Sequence, residues 1–251
     1  MKDRKIGLVN LLFLVLTLVV NGLGAMGFIN GYSQKMVSDL YGTLITPAAF
    51  TFSIWSVIYL LLFIYVIVVI VKGKDSYYGD SKVAGLFVLS CVLNMAWIVA
   101  FAYLQMAVSA IIILMIACVL NLINKRLLAI NEGGHWLAPL TFGLYSGWLV
   151  IATVVNVSSM LVQMDFNGFG LSYEVWAMIM LGVSVLLVIL LQLNNRNVVY
   201  AWPVAWAYFG IYSTLKAGSM LANIALVGLV VMVLFSFLLL VRNKFKIIPV
   251  K

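Results

Sequence analysis

The chain consists mainly of long apolar runs separated by short clusters of charged or turn-forming residues. Each run is close to the roughly 20 residues that a helix needs to cross the hydrocarbon core of a bilayer. Gln105 alone separates the third run from the fourth. Pro47 and Pro139 are at predicted helix starts, where proline is tolerated because the backbone N–H that it lacks has no partner in the first turn. The pattern predicts an all-α polytopic membrane bundle of eight helices, at residues 6–28, 48–71, 83–104, 106–124, 137–159, 174–193, 198–215 and 219–241.

Composition supports this interpretation. Of the 251 residues, 65% are hydrophobic and 9% are charged, whereas soluble domains have about 45–50% apolar and about 25% charged residues. The N-terminal charges followed by an apolar run are also typical of a secretory signal, but the run continues to about Phe28 and is long enough to span. We therefore expect an uncleaved first helix.

The basic residues predict the orientation of the bundle. Of the fifteen lysines and arginines, only Lys35 and Lys216 fall in loops on one side of the eight-helix topology, so the other thirteen lie on the opposite side. Basic loops mark the cytoplasmic side of membrane proteins. We therefore expect a multi-pass protein of the cell membrane with both termini in the cytoplasm. The net charge of +8 belongs to these loops and does not indicate a nucleic-acid partner.

Polar and aromatic side chains recur three or four residues apart inside three of the apolar runs, so each group shares one face of a helix. Because successive helices alternate in direction, the three groups reach similar depth in the outer half of the membrane, beneath the loop 29–46. The sequence predicts one ligand pocket between the second, third and fifth helices. Its candidate residues are Trp55, Tyr59, Asn94, Trp97, Tyr145, Trp148, Ala152 and Asn156.

Other roles for these residues remain open. Tryptophan and tyrosine also form interfacial belts, so Trp55 and Trp148 fit a belt as well as a pocket. Asn94 would be equally served by a bond to a neighbouring helix. Gly143 and Gly147 form a Gly-x-x-x-Gly pair, which favours close helix packing or dimerisation over ligand contact.

Groups for conventional catalysis are missing from the predicted spans, which hold no Asp, Lys, Arg or His and a single Glu, Glu174, at the first position of the sixth span. We therefore expect no enzyme, no metal site and no obligatory cofactor. Cys91 and Cys118 are expected to be reduced thiols in the core, and His135, the only histidine, is expected to be solvated in a loop.

Three motifs resemble the TspO/MBR family, the tryptophan-rich sensory proteins that include the mitochondrial translocator protein (peripheral-type benzodiazepine receptor). Residues 47–59 (PAAFTFSIWSVIY) resemble its second-helix signature, with one proline where many members have two. Residues 93–97 (LNMAW) are similar to its third-helix pattern. Residues 144–156 (LYSGWLVIATVVN) are similar to its fifth-helix pattern. The three motifs occur in the family's order and on the expected helices.

The resemblance covers about residues 6–159 and implies a five-helix bundle with a pocket closed by the first loop. It implies flat hydrophobic ligands, above all tetrapyrroles such as protoporphyrin or haem. It also carries the pocket role onto Trp55, Tyr59, Asn94, Trp97, Trp148 and Ala152. We divide the chain into the TspO-like unit 1–159 and a three-helix extension 160–251, a feature similar to longer bacterial relatives.

The expected function is therefore a sensory or translocator-type membrane protein that binds such a ligand, with the lipid bilayer as its surroundings. An uncoupled transporter of a neutral or amphipathic solute is one alternative, and light- or oxygen-dependent breakdown of bound porphyrin is another. If the extension covers the face through which five-helix relatives dimerise, the protein is a monomer. Trp202, Trp206 and Tyr208 in the seventh helix are then expected to be packing or belt residues rather than a second pocket.

Overall fold

The computed structural model describes residues 2–72 and 75–250, and this part of the chain holds helices and turns without a β-strand, which confirms the all-α prediction. Lys74 and Lys251, which contribute to the predicted charge asymmetry, lie outside the described residues. Short 3-10 helices cover Ala49–Ser53, Gly168–Gly170 and Val198–Tyr200. The α-helices are α1 (Lys2–Ala25), α2 (Gln34–Leu40), α3 (Ile54–Lys72), α4 (Ser81–Ala102), α5 (Met106–Ala129), α6 (Leu137–Gln163), α7 (Tyr173–Asn195), α8 (Ala201–Thr214) and α9 (Met220–Arg242).

All eight predicted segments are helical, and seven of them are long and apolar enough to cross a membrane. The exception is α8, whose 14 residues span only about 21 Å at 1.5 Å per residue. The 3-10 turn Val198–Tyr200 precedes it directly and lengthens it at one end. The short helix is packed against α6 and α9, so protein surrounds much of it.

Local signals place the helix ends. Ser172 and Ser219 cap α7 and α9, because their side chains accept hydrogen bonds from the backbone N–H groups of Val175 and Ala222. The predicted break at Gln105 is real: α4 ends at Ala102 and α5 begins at Met106. Leu104 closes this turn with a left-handed φ of 59°.

Asp80 caps α4 and also ties it to α5. Its side chain accepts from the backbone N–H of Lys82 and Val83, and Arg126 Nη2 lies 2.6 Å from Asp80 Oδ2. Burial opposes ionisation of this carboxyl, but the Arg126 guanidinium and the two N–H groups favour the carboxylate and lower the pKa of Asp80 below its usual value.

The first five long helices close into a ring. In this ring α1 packs on α3 and α4, α4 on α5, α5 on α6, and α6 back on α3. Phe87, Phe142 and Tyr65 fill its interior near one end, with ring centroids 5.0–6.2 Å apart. The other end of the ring is less tightly filled, and the short helix α2 lies there.

The extension packs on the outside of this ring. Helices α7 and α8 contact α6, α7 also contacts α5, and α9 packs on α7 and α8. The contact with α6 is very close, because a Cβ added at Gly147 would lie 2.0 Å from the carbonyl oxygen of Tyr200, and one at Gly143 2.4 Å from Val199. The Gly-x-x-x-Gly pair thus serves close helix packing, as expected, and its neighbour is the same chain's extension.

One element was not predicted, and two expectations need correction. Within the loop 29–46, α2 begins after Ser33, whose hydroxyl caps the helix by accepting from Met36 N. Cys118 is exposed on the surface of α5 rather than buried in the core, although Cys91 is buried. His135 is only partly exposed, and its ring stacks on Tyr77 with centroids 4.0 Å apart.

Candidate functional site

A cavity of about 470 Å³ lies inside the ring at the end that α2 covers. Its walls come from α1, α2, α4, α6 and from α3 with the 3-10 turn before it. Six of the eight predicted site residues line it: Trp55, Tyr59, Trp97, Trp148, Ala152 and Asn156. Asn94 and Tyr145, the other two, are not among the lining residues. This volume lies within the range of small-molecule sites, about 300–1,000 Å³.

Trp55 is at the centre of an aromatic group in the cavity wall. Its ring stacks on Tyr59 with centroids 5.3 Å apart and an interplanar angle of 17°. Trp148 meets it edge-on at 6.2 Å, and Tyr145 does so at 5.9 Å from behind the wall. Phe52 approaches Trp148 from the 3-10 turn, also edge-on at 6.2 Å. These rings come from α3 and α6, whose spacings of three and four residues bring them to one face.

Two polar atoms of lining residues have no protein partner. The hydroxyl of Tyr59 and the indole N–H of Trp148 are both inaccessible and make no hydrogen bond within the described part of the chain. A buried donor without a partner costs about 1–3 kcal/mol, so natural folds rarely leave one idle. Both atoms are closed off from the cavity in the ligand-free protein, so a bound molecule would reach them only if neighbouring side chains shifted.

Asn94 and Tyr145 form a hydrogen-bonded layer behind the cavity. Asn94 is fully buried, its Oδ1 accepts from Asn21 Nδ2 at 2.7 Å, and its Nδ2 donates to the Tyr145 hydroxyl at 3.0 Å. The bond to a neighbouring helix, left open by the sequence, is therefore formed to two side chains. Asn94 fixes α1, α4 and α6 relative to one another and supports the ring of Tyr145 that meets Trp55.

Asn156 has a similar linking role while also lining the cavity. Its Oδ1 accepts from Trp97 Nε1 at 2.9 Å, and its Nδ2 donates to Ser109 Oγ at 3.0 Å. The indole of Trp97 is held in this way and stacks on Phe101 at 5.2 Å. Trp97 and Asn156 therefore form a fixed part of the wall with their polar atoms already paired.

Helix α2 covers the cavity and is tied down at both sides. Gln34, Lys35 and Ser38 of this helix line the cavity, and Lys35 forms an ion pair with Asp39 one turn later. Before the helix, Asn30 Nδ2 donates to the carbonyl of Ala102. After it, the Tyr41 hydroxyl accepts from Gln163 Nε2 at 3.0 Å, at the end of α6.

Sequence reasoning missed the wall that α1 provides. Leu18, Asn21, Gly22 and Ala25 line the cavity. A signal was available in this apolar helix, because Asn10, Thr17 and Asn21 are seven and four residues apart and so share a face. Asn10 and Thr17 are almost completely buried, as expected for polar residues that face the interior of a membrane bundle.

The aromatic residues of α8 lie outside this cavity, and they pack within the extension or, for Trp206, against the 3-10 turn Ala49–Ser53. Tyr208 is fully buried and donates to the carbonyl of Leu181 at 2.6 Å. Trp202 donates to Ser236 in α9, and Trp206 to the carbonyl of Thr51. A groove of about 370 Å³ between α7 and α9 has Tyr208 in its wall, but aliphatic side chains form most of the rest. The contacts of Trp202, Trp206 and Tyr208 favour a packing role for these residues over a second ligand site.

Comparison with known proteins identifies a family for this chain. The family model described as TSPO-like protein matches residues 7–238, which include the five-helix ring, α7, α8 and most of α9. The match therefore continues well beyond residues 6–159, where the three motifs lie. No curated protein and no solved structure matches the chain.

Proposed function

Since the chain belongs to the TSPO-like protein family, we propose that this multi-pass membrane protein binds a flat hydrophobic ligand, a tetrapyrrole such as protoporphyrin, in the cavity beneath α2. One observation carries the proposal: an aromatic-walled cavity of about 470 Å³ is lined by Tyr59 and Trp148, whose buried hydroxyl and indole N–H have no protein partner. The charge asymmetry of the loops supports an orientation with this end outward and both termini in the cytoplasm.

The wall offers separate contacts for the face and for the edge of a flat ligand. The ring of Trp55 would lie against a planar face, and an aromatic pair of this kind contributes about 0.5–1.5 kcal/mol beyond area burial. Tyr59 and Trp148 would bond polar atoms at the ligand's edge. Lys35 is the one charged side chain among the described lining residues, so it would attract a carboxylate at the covered end.

The residue types in the cavity wall also indicate whether a metal-containing porphyrin fits the site. Haem iron in proteins takes an axial histidine, cysteine, methionine or tyrosine. Among the described lining residues only Tyr59 is of these types, and its hydroxyl is closed off from the cavity. The lining thus fits a porphyrin held by its ring faces and edges better than one held through its iron.

The absence of charge in the wall apart from Lys35 also supports binding without catalysis, because acid–base chemistry needs a titratable pair near the reacting atoms. We therefore propose a binding role rather than an enzymatic one. Breakdown of protoporphyrin under illumination that is faster with the wild type than with Trp55→Phe or Trp148→Phe would overturn this part.

The test is a titration of purified protein with protoporphyrin IX and, separately, with haemin, followed by the shift of the Soret band. Trp148→Phe and Tyr59→Phe each remove one unpartnered polar group while keeping a ring in place. We expect each to weaken protoporphyrin binding by about 2–10-fold, the value of one hydrogen bond.

Trp202→Phe is the matched control, since Trp202 is an exposed tryptophan of α8 that does not line the cavity. It should bind as the wild type does. Equal affinity in the wild type, Trp148→Phe and Tyr59→Phe would remove this site from the proposal, and no Soret shift in the wild type would remove the ligand class.

A further inference from the structure

We propose that helix α8 of the extension positions the wall of the cavity by holding the 3-10 turn Ala49–Ser53, and that Trp206 and Gly210 are the positioning residues. Neither residue lines the cavity. The effect on ligand binding rests on the proposed function, whereas the effect on the turn itself does not.

Two hydrogen bonds join α8 to this turn. Trp206 Nε1 donates to the carbonyl of Thr51 at 3.1 Å, and the backbone N–H of Ala48 donates to the carbonyl of Gly210 at 3.4 Å. Thr51 is fully buried, and its hydroxyl donates back to the carbonyl of Ala48 at 2.6 Å. In a membrane-spanning chain irregular backbone must find such partners inside the protein, because lipid offers none.

The close approach at Gly210 requires the absence of a side chain. A Cβ added there would lie 2.1 Å from Cγ2 of Thr51 and 3.4 Å from the backbone nitrogen of Ala48. Carbon atoms in contact are normally about 3.5–4.0 Å apart, so an alanine would push the turn away from α8. Gly210 thus fixes how near the turn can lie to the extension.

The two sides of the turn connect the extension to the cavity. Phe50 faces α8, where its ring meets Trp206 edge-on at 5.3 Å and Phe209 at 5.8 Å. Phe52, two residues later, lies on the cavity side and meets Trp148 at 6.2 Å. A displacement of the turn therefore moves Phe52, and with it the start of the helix that carries Trp55.

The inference gives the extension a role at the site, although α7, α8 and α9 contribute no residue to the lining. Helices α1, α3, α4 and α6 of the ring, together with residues 33–38 and the segment 47–52, supply the side chains that line the cavity. The extension then sets the position of the 3-10 turn, a wall segment that is not regular α-helix.

The experiment compares Trp206→Phe and Gly210→Ala with two matched controls. Trp202→Phe removes an indole N–H on the same helix that bonds Ser236 instead of the turn. Gly182→Ala adds a Cβ that meets nothing within 4 Å. Hydrogen–deuterium exchange of peptides covering residues 47–56 reports the turn directly, and protoporphyrin IX titration reports the cavity.

We expect faster exchange in residues 47–56 for Trp206→Phe and Gly210→Ala, and affinity for protoporphyrin lower by about 2–10-fold, as for loss of one hydrogen bond. Both controls should match the wild type in exchange and in affinity. Wild-type exchange in both test variants would overturn the inference.

A second-site change separates positioning from general damage. Thr51→Ser deletes the Cγ2 atom that an alanine at position 210 would strike, while it keeps the hydroxyl that bonds Ala48. Adding Thr51→Ser to Gly210→Ala should restore folding, exchange and affinity towards wild-type values, and failure to restore exchange would overturn the role of Gly210. If the wild type binds no protoporphyrin, the proposed function fails, and the exchange measurements alone still decide the inference.

Discussion

The two faces of α6 use different residues for different purposes. One face presents Trp148, Ala152 and Asn156 to the cavity, which has a volume of about 470 Å³. The other presents Gly143 and Gly147 to the extension, where the backbone of Tyr200 is too near for any side chain. One membrane helix can therefore form a binding wall on one face and a close packing contact, here called the seam, at Gly143 and Gly147 on another. This is possible because neighbouring residues of a helix point in different directions around its axis.

Polar groups differ between the two faces as well. On the extension side, Asn124 donates to Ser146 at 2.9 Å and accepts from Asn197 at 3.1 Å, which joins α5, α6 and the link between α7 and α8. On the cavity side, Tyr59 OH and Trp148 Nε1 have no partner. Paired amides stabilise a helix interface, whereas a buried donor without a protein partner costs free energy that a hydrogen bond to a ligand would offset.

The largest expected effect comes from removing the seam altogether. A chain ending after Gln163 would expose the glycine face of α6, and small-residue faces associate in membranes. We expect the full-length protein to be a monomer and the shortened chain to be a dimer in native mass spectrometry. The shortened chain with Gly147→Leu should remain a monomer, since a leucine fills that face. The same oligomeric state in the full-length and the shortened protein would contradict the comparison.

The next effect is on stability at the seam. Gly147→Ala places a Cβ 2.0 Å from the Tyr200 carbonyl oxygen, and overpacking of this kind costs about 1–3 kcal/mol. We expect a lower thermal midpoint in detergent, measured by size-exclusion after heating. Gly182→Ala is the control, because its added Cβ meets nothing within 4 Å. Equal midpoints for both variants would show that the seam tolerates adjustment.

A matched pair of tyrosines then tests the cavity side. Tyr145→Phe removes the acceptor of Asn94 Nδ2 and should destabilise the protein by about 1–3 kcal/mol, because a buried donor loses its partner. Tyr59→Phe removes a hydroxyl that has no partner, so the ligand-free protein should keep its stability. Chemical or thermal unfolding without ligand compares the two. A larger loss in Tyr59→Phe would mean that its hydroxyl is bonded within the protein.

The smallest effect concerns pH at the opposite end of the ring. The pKa of Asp80 is lowered in the folded state, so its contribution to stability is present above its unfolded pKa of about 3.9 and is lost as pH falls through the lowered folded value. Asp80→Asn should therefore reduce stability at neutral pH and flatten the loss between about pH 4 and lower values. Parallel stability curves for the wild type and the variant across this interval would argue against the ion pair with Arg126.

The sequence alone predicted most of the fold because its signals are local. Apolar runs of membrane length gave the eight helical segments, and Gln105, Pro47 and Pro139 lie at or near the observed helix ends. Two features of the fold were not predicted correctly, and both also have local causes. Helix α2 was missed since seven residues carry little periodic signal, and α8 is shorter than a span because the chain forms a separate 3-10 turn before it.

The sequence identified six residues that line the cavity, but it could not show which candidates line it and which lie behind the wall. Helical spacing shows that Asn94 and Trp97 lie on nearby parts of one helix surface, yet it does not show which one reaches the cavity. That depends on Asn21 in α1, 73 residues earlier in the chain, whose Nδ2 donates a hydrogen bond to Asn94 Oδ1. Likewise, only the assembled structure shows that Gly147 faces Tyr200 and that Trp206 bonds Thr51.

The sequence by itself thus determined the membrane class, the order of the long helices and four of the aromatic residues that line the cavity, because hydrophobic length and helical spacing act within single segments. The tertiary structure decided which polar atoms are paired, which tyrosine is free, and how the extension meets the 3-10 turn before α3. Those outcomes depend on side chains far apart in the chain, whose pairing is fixed only when the helices pack.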